Sequence, residues 1–439
     1  MENVVDFKNW FVKSFDSFEQ SLNGGKESEF HKIRKKALKN FGTLSLPTLK
    51  DEEWRYTNIS PLLRYNFTSA DGKVSIPDKI INHFKFDNLK SSLIIFVNGN
   101  FSEEYSQLLS LPEGVVISSI SDAIKNYPDL VKKHFAKYAD YSSQIFTALS
   151  TAFTKDGAFV YVPDNKIVED PIHIIFLTSS DDKIITQPRN LFIAGKNSQV
   201  SIIEHYAGTD ESIYFTNTVT EIVAGENAIL DHIKLQEESK KAFHVARMEV
   251  DQERSSNFSS HSVSTGGTIT RNDFNSRFNN EGGECTLNGL FILEDGQLFD
   301  VHTLIDHANP YCNSHEHYKG ILEDNSRGVF NGKVIVRPDA QKTNAFQENN
   351  NILLSNNALV NTKPQLEIFA DDVKCSHGAT IGQLDEEARF YLKSRGIGNE
   401  AATSILIHAF ASDVITSIKL DAIRNYLKEI LNTRFNQLK

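Results

Sequence analysis

The chain has 439 residues, 46 Lys and Arg against 57 Asp and Glu, a net charge of −11, 40% hydrophobic and 23% charged residues. At about 150 residues per domain, that length predicts two or three domains and a core that needs no disulfide or metal to hold it. The ordinary composition excludes collagen, coiled coil and wholesale disorder, and the acidic balance disfavours a broad nucleic-acid footprint or a basic membrane-surface protein.

Residues 1–150 read as an N-terminal, mostly helical region with short strands. Asp6, Lys8 and Asp16 leave the start without an apolar run, so no signal peptide is expected. Phe30, Ile33, Ala37 and Phe41 recur at helical spacing, and Pro47 and Pro61 break the pattern. Residues 92–97 form a short buried strand ending in the turn Asn98-Gly99; residues 115–117 form another, and 121–152 are largely helical. Runs such as 93–97 and 172–177 are far too short to span a bilayer, so a cytoplasmic location is the expectation.

Over residues 151–384 long helical periodicity disappears. Short β-rich runs alternate with Gly, Asn and Asp turns, and the turns repeat. Ala194-Gly-Lys-Asn197 recurs as Ala224-Gly-Glu-Asn227, an offset of 30; Leu293-Glu-Asp-Gly296 recurs as Leu322-Glu-Asp-Asn325, an offset of 29. Leu354-Ser-Asn-Asn357 follows after a further 32. One coil per repeat cannot bury its own inward side chains, whereas a stack can. The predicted fold is therefore mainly β: a central right-handed parallel β-helix, or solenoid, flanked by N-terminal and C-terminal helical regions.

Residues 385–439 read as a C-terminal helical domain. Asp385 caps a helix that Gly396 ends. Asn399 caps a second, with Ile405, Leu406, Ala409, Phe410 and Ile418 placed on one side. Ile423, Tyr426, Leu427, Ile430, Leu431 and Phe435 form a continuous stripe on a third, which must pack on the body or on a partner.

Three cysteines, Cys285, Cys312 and Cys375, are too scattered for a disulfide framework, and no CxxC pair exists. The densest set of ligand-capable residues is His302, Asp306, His307, Cys312, His315 and His317, which matches no standard metal spacing. A second candidate lies in Asp371-Asp-Val-Lys-Cys-Ser-His-Gly378. Strand alternation puts Cys375 and His377 on one face, a thiolate and an imidazole suited to iron. Two ligands do not complete a site, so the rest must come from elsewhere. Arg337-Pro-Asp-Ala-Gln-Lys-Thr343 reads as a solvated turn or an anion site. Nucleotide loops of the GxxxxGK[ST] or GxGxxG type and a GxSxG elbow are absent.

Several segments give the chain a family resemblance. Tyr318-Lys-Gly-Ile-Leu322, Arg327-Gly-Val-Phe-Asn-Gly-Lys333, Val336-Arg-Pro-Asp-Ala-Gln-Lys-Thr343, Asn361-Thr-Lys-Pro-Gln-Leu-Glu367, Ala370-Asp-Asp-Val-Lys-Cys-Ser-His-Gly-Ala-Thr380 and Gly382-Gln-Leu-Asp-Glu-Glu387 resemble the SufB/SufD family of iron–sulfur cluster assembly scaffolds. Glu52-Glu-Trp-Arg-Tyr-Thr57, Phe96-Val-Asn-Gly-Asn-Phe-Ser102 and Arg389-Phe-Tyr-Leu-Lys-Ser-Arg-Gly396 extend the likeness, and the runs 360–365 and 374–378 are of the D type. The resemblance implies a non-catalytic subunit that pairs with SufB and docks the SufC ATPase through the C-terminal helical domain, with part of the stripe and its flanks facing SufC. It implies no tightly bound cofactor in the chain alone, and a transient iron–sulfur cluster at the SufB interface, where His377, with Cys375 beside it, supplies ligands. Pairing of isolated chains through a sheet edge is an open expectation. Two competing readings are a polysaccharide-active β-helix enzyme using Asp300, Asp306, Lys319 and Arg337, and a self-contained metalloprotein using the 302–317 cluster.

Overall fold

Strand and turn alternate so regularly after residue 157 that the chain winds into about eight coils, each giving one strand to each of two parallel sheets. The computed structural model describes residues 2–22, 28–70, 74–209 and 212–435. One sheet, A, has 11 strands and ends with Leu359–Ile368; the other, B, has 10 and ends with Lys374–Gly382. Register is unbroken through the stack, as in Asn313–Leu322, Asn344–Leu353 and Lys374–Gly382, which lie side by side. This is the parallel β-helix that the recurring turns predict.

The corners explain the recurrence. Asn165, Asn197 and Asn227 all adopt positive φ, at 60°, 53° and 56°, which Asn tolerates better than most side chains. Their amides also form a ladder: Asn197 Nδ2 donates to Asn165 Oδ1 at 2.8 Å, and Asn227 Nδ2 to Asn197 Oδ1 at 3.0 Å. Inward side chains such as Ile174, Phe192, Leu230, Phe258, Phe291 and Phe330 fill the interior.

The two ends of the stack differ. At the first coils both sheets are closed by antiparallel strands, Val116–Ser119 on A and Asn100–Gln107 on B, the latter through the hairpin at Asn98-Gly99. At the last coil Leu359–Ile368 and Lys374–Gly382 are both edge strands, with no described strand beyond them. Such edges expose unpaired N–H and C=O groups and template further pairing.

Helices cover the outer faces. Phe7, Phe11, Phe15 and Phe18 of Glu2–Ser21 pack with Phe41 and Phe146 on Phe215, Phe243 and Ile269 of sheet A. Under the adjoining 135–139 loop lies a buried ion pair, Arg189 Nη2 to Glu221 at 3.0 Å. Glu221 also accepts the backbone N–H groups of Ala136, Tyr138 and Ala139 at 2.7, 2.7 and 2.9 Å.

Glu386–Ser394 is capped by Asp385, whose Oδ1 accepts from the N–H groups of Glu387 and Ala388, and Gly396 follows at φ 87°. The second C-terminal helix, Asn399–Ser417, buries Ala402, Ile407, Ala411, Val414 and Ile415; of the expected face, Ile418 just past its end is buried and Phe410 packs partly on the same core, while Ile405 is exposed. This helix is apolar nearly all round, so spacing alone does not select a face. The stripe of Asp421–Phe435 packs on the body through Ile423, Leu427, Leu431 and Phe435, which meet Ile233, Leu235, Leu290 and Ile292 of sheet B. Tyr426 and Ile430 of the same stripe are only partly buried and line a cleft with His83 and Lys85, so sheet B takes the centre of the stripe and leaves its flank open. None of the described helices is long and apolar enough to cross a membrane.

Candidate functional site

Cys375 and His377 sit on the last strand, which begins at Lys374, so Asp371–Val373 precede it in the turn. Register pairs Cys375 with Ala345 and His377 with Gln347, and both of these are buried, inward-facing residues. Cys375 and His377 therefore continue the inward row, as alternation predicts. Among the described residues no strand pairs beyond the last coil, so this inward row lies at the end of the solenoid.

The two side chains differ in surroundings. Cys375 is half-buried beside Val334, Val336, Ala340 and Ala345, and burial pushes its thiol above its ordinary range, against a backbone hydrogen bond at Ala345. A thiol so placed is neutral until a metal or a cationic neighbour draws off its proton. His377 is exposed. Around them lie the exposed apolar residues Leu359, Ile368, Phe369 and Ile381. The end of the stack thus joins two open edges, exposed apolar residues, a sulfur and an imidazole.

The other candidates are dispersed by the winding. His302 and Asp306 point outward from sheet A, His307 points inward, and Cys312 is buried at the corner, its Sγ 3.5 Å from Pro310 O. His315 and His317 share one face, as expected, but it is the outer face of sheet B. Among the described residues no group of three or more His, Cys, Asp or Glu is placed to hold a metal. The cations of the 337–343 loop are consumed between coils: Arg337 grips Asp306 through two bonds of 2.8 and 2.7 Å, and Lys342 pairs with Asp372. Asp300 and Lys319, considered for a carbohydrate groove, lie on opposite sheets, and Lys319 is covered by the second C-terminal helix, where its Nζ donates to Phe410 O at 2.8 Å.

His302 instead anchors the N-terminal segment. Its Nε2 lies 3.0 Å from Asp300 and its Nδ1 3.0 Å from Glu53, while Trp54 stacks on Arg271 at 4.1 Å. Burial alone would lower its pKa, but the Asp300 carboxylate outweighs that and raises it to about 9. The Glu52–Thr57 motif is thus a strap across sheet A. The cleft beside it, about 550 Å³, is lined by Lys50, Arg55, Asn331 and Lys363 among others.

Sequence reasoning missed a polar column inside the solenoid. Asn190 Nδ2 donates to Glu204 at 2.6 Å, and Glu204 lies 2.9 Å from His232. Lys234 Nζ bonds His244 at 2.9 Å and Asn272 at 2.6 Å, and burial lowers its pKa to about 8. Nearer the open end Gln347 donates to Glu316. A signal existed: in His315-Glu-His-Tyr-Lys319 neither set of alternate residues is apolar, so one polar set had to turn inward.

On the surface, Glu386–Ser394 buries none of its residues, and Phe390 and Tyr391 are 73% and 56% exposed. Three residues separate this helix from the end of the last strand.

Two family models match the chain. The SufBD protein N-terminal region covers residues 6–174, and the SUF system FeS cluster assembly SufBD core domain covers residues 176–410. An iron–sulfur cluster assembly SufBD family protein of Synechocystis is 35% identical, over 94% of this chain and 93% of its own length. The iron–sulfur cluster assembly protein SufD of Escherichia coli is 30% identical, over 86% and 87%. SufD of Bacillus subtilis is 27% identical, over 73% and 74%.

Proposed function

From a chain that belongs to the SufBD family of iron–sulfur cluster assembly proteins, we propose a D-type scaffold subunit: non-catalytic, cytoplasmic, paired with a SufB-type chain and docked to the SufC ATPase. The observation that carries this reading is the open end of the solenoid, where two edge strands and an apolar rim surround His377 and Cys375. A second solenoid adding strands at these edges satisfies their backbone groups and covers Phe369 and Ile381. It also covers His377 and Cys375, so that its side chains supply the ligands that two residues cannot.

In this reading the nascent cluster is cargo. His377 offers a ring nitrogen from the outermost strand; Cys375 is a thiolate donor only once iron or a cationic neighbour displaces its proton. SufC docks on the exposed helix Glu386–Ser394, because the other two C-terminal helices are committed to sheet B. Only three residues separate that helix from the strand of His377, so nucleotide-driven movement of SufC is passed directly to the terminal coil. Two arrangements of the paired scaffolds, differing in affinity for the two states of SufC, suffice to open and close the site.

The deciding experiment replaces His377 with Ala and reconstitutes the complex with SufB and SufC. Loss of cluster assembly with the complex intact supports the ligand role; assembly at the wild-type level refutes it.

A further inference from the structure

Behind the strand of His377 lies a row of buried side chains, Ala345, Gln347, Asn349 and Asn351, belonging to Asn344–Leu353. Their neighbours in register on the last strand are Cys375, His377, Ala379 and Ile381. Gln347 is 2% exposed. Its Nε2 donates to Glu316 Oε2 on the coil behind, in space left free by Gly332, where an added Cβ would collide with Nε2. Its Oε1 is buried and has no hydrogen-bond partner among the described residues.

A buried amide normally satisfies both ends. Here one end is held by Glu316 and the other is left for the terminal coil. The residue there in register is His377, and it is the one member of that row with a side-chain N–H to give. Asn351 Oδ1 is also without a partner, but it stands opposite Ile381 and so has no donor side chain to receive.

A histidine that binds metal through one ring nitrogen uses the other to donate to an acceptor, which fixes its tautomer and ring orientation. We infer that Gln347 is the positioning residue for His377: when a facing subunit covers the end of the stack, the imidazole turns so that Oε1, unpaired in the chain alone, accepts the N–H of the nearer ring nitrogen, and the farther nitrogen is left deprotonated and turned toward that subunit. Glu316, through Gln347 Nε2, keeps the amide from flipping. This rests on the reading of His377 as a cluster ligand, and adds that its competence is set one and two coils deeper in the stack.

The test uses the reconstituted complex with SufB and SufC and compares Gln347→Met, Gln347→Glu and His377→Ala, with cluster yield read from absorbance and acid-labile sulfide. Complex integrity is followed by size-exclusion chromatography. Gln347→Met keeps the volume and removes the acceptor, and is expected to lower the yield about tenfold. Gln347→Glu keeps the acceptor and is expected to stay within about twofold of wild type. A packing role predicts the opposite order, since Glu brings a second carboxyl against Glu316 while Met fits the space. Wild-type yield in Gln347→Met beside a dead His377→Ala overturns this inference and leaves the ligand reading standing. A wild-type His377→Ala overturns both. If Gln347→Met fails to assemble a complex, Gln347→Glu decides: near-wild-type yield supports the acceptor role, and a lost yield overturns it.

Discussion

Phe390 offers a clean separation of docking from folding. The residue is 73% exposed, and no residue of Glu386–Ser394 is buried, so the protein's own core gains little from it. Burying a whole Phe side chain is worth up to ~3 kcal/mol; at this exposure about 2 kcal/mol is still available to a partner. If SufC docks there as proposed, loss of that contact in Phe390→Ala is expected to raise its Kd about 30-fold. Adding Tyr391→Ala, at a residue 56% exposed with Arg395 over its ring at 5.0 Å, carries the loss beyond about 100-fold. Thermal unfolding of the chain alone moves by no more than ~0.5 kcal/mol. Leu427→Ala serves as the converse: Leu427 is buried against sheet B, and truncation costs ~2–5 kcal/mol of stability. The assay is calorimetric titration of SufC into each purified variant, with melting curves alongside. SufC binding unchanged by both aromatic substitutions refutes the assignment of this helix as the docking surface.

Three further outcomes follow from other parts of the fold. Lys374 N–H bonds Thr343 O, so by alternation the N–H of Ala379 points away from the stack; Ala379→Pro then leaves the internal ladder intact and blocks pairing with SufB, seen as a loss of co-elution without a loss of folded chain. His302 has a folded pKa of about 9, above its ordinary 6.5, so its stabilisation is complete below about pH 6.5 and is lost as pH rises through about 9. That is worth at most about 3 kcal/mol, and the wild type converges on His302→Gln in melting experiments as the pH approaches 10; parallel curves across that range refute it. Glu221→Ala strands Arg189 and three backbone N–H groups and costs ~3–5 kcal/mol in denaturant unfolding, with a loss below ~1 kcal/mol contradicting the geometry.

Much of the architecture was legible because its determinants are local. Corners that need positive φ show up in several coils as Asn or Asp about 30 residues apart, as at Asn165, Asn197 and Asn227 and again at Asp295 and Asp324, and the spacing of those corners reports the coil length whatever lies between them. Asp385 and Gly396 likewise mark the ends of a helix through bonds made within a few residues. The pairing of Cys375 and His377 on one face needs nothing beyond strand alternation.

Other features depended on what each side chain meets across the molecule. The 302–317 cluster looked dense in sequence, yet a corner divides it between two sheets whose faces point apart. The final apolar stripe could satisfy a partner or the body equally well, and sheet B took its Ile423, Leu427, Leu431 and Phe435. An all-round apolar helix such as Asn399–Ser417 has no preferred face until it is packed. Gln347 behind His377 became visible only through register, which places residues 30 apart in sequence side by side. The sequence determined by itself that the chain coils, how often, and where it stops, since torsional preference and hydrogen bonding act over a few residues. Which groups meet between coils, and which surfaces are left for partners, was decided only by packing, because burial is settled among residues that the chain brings together from far apart.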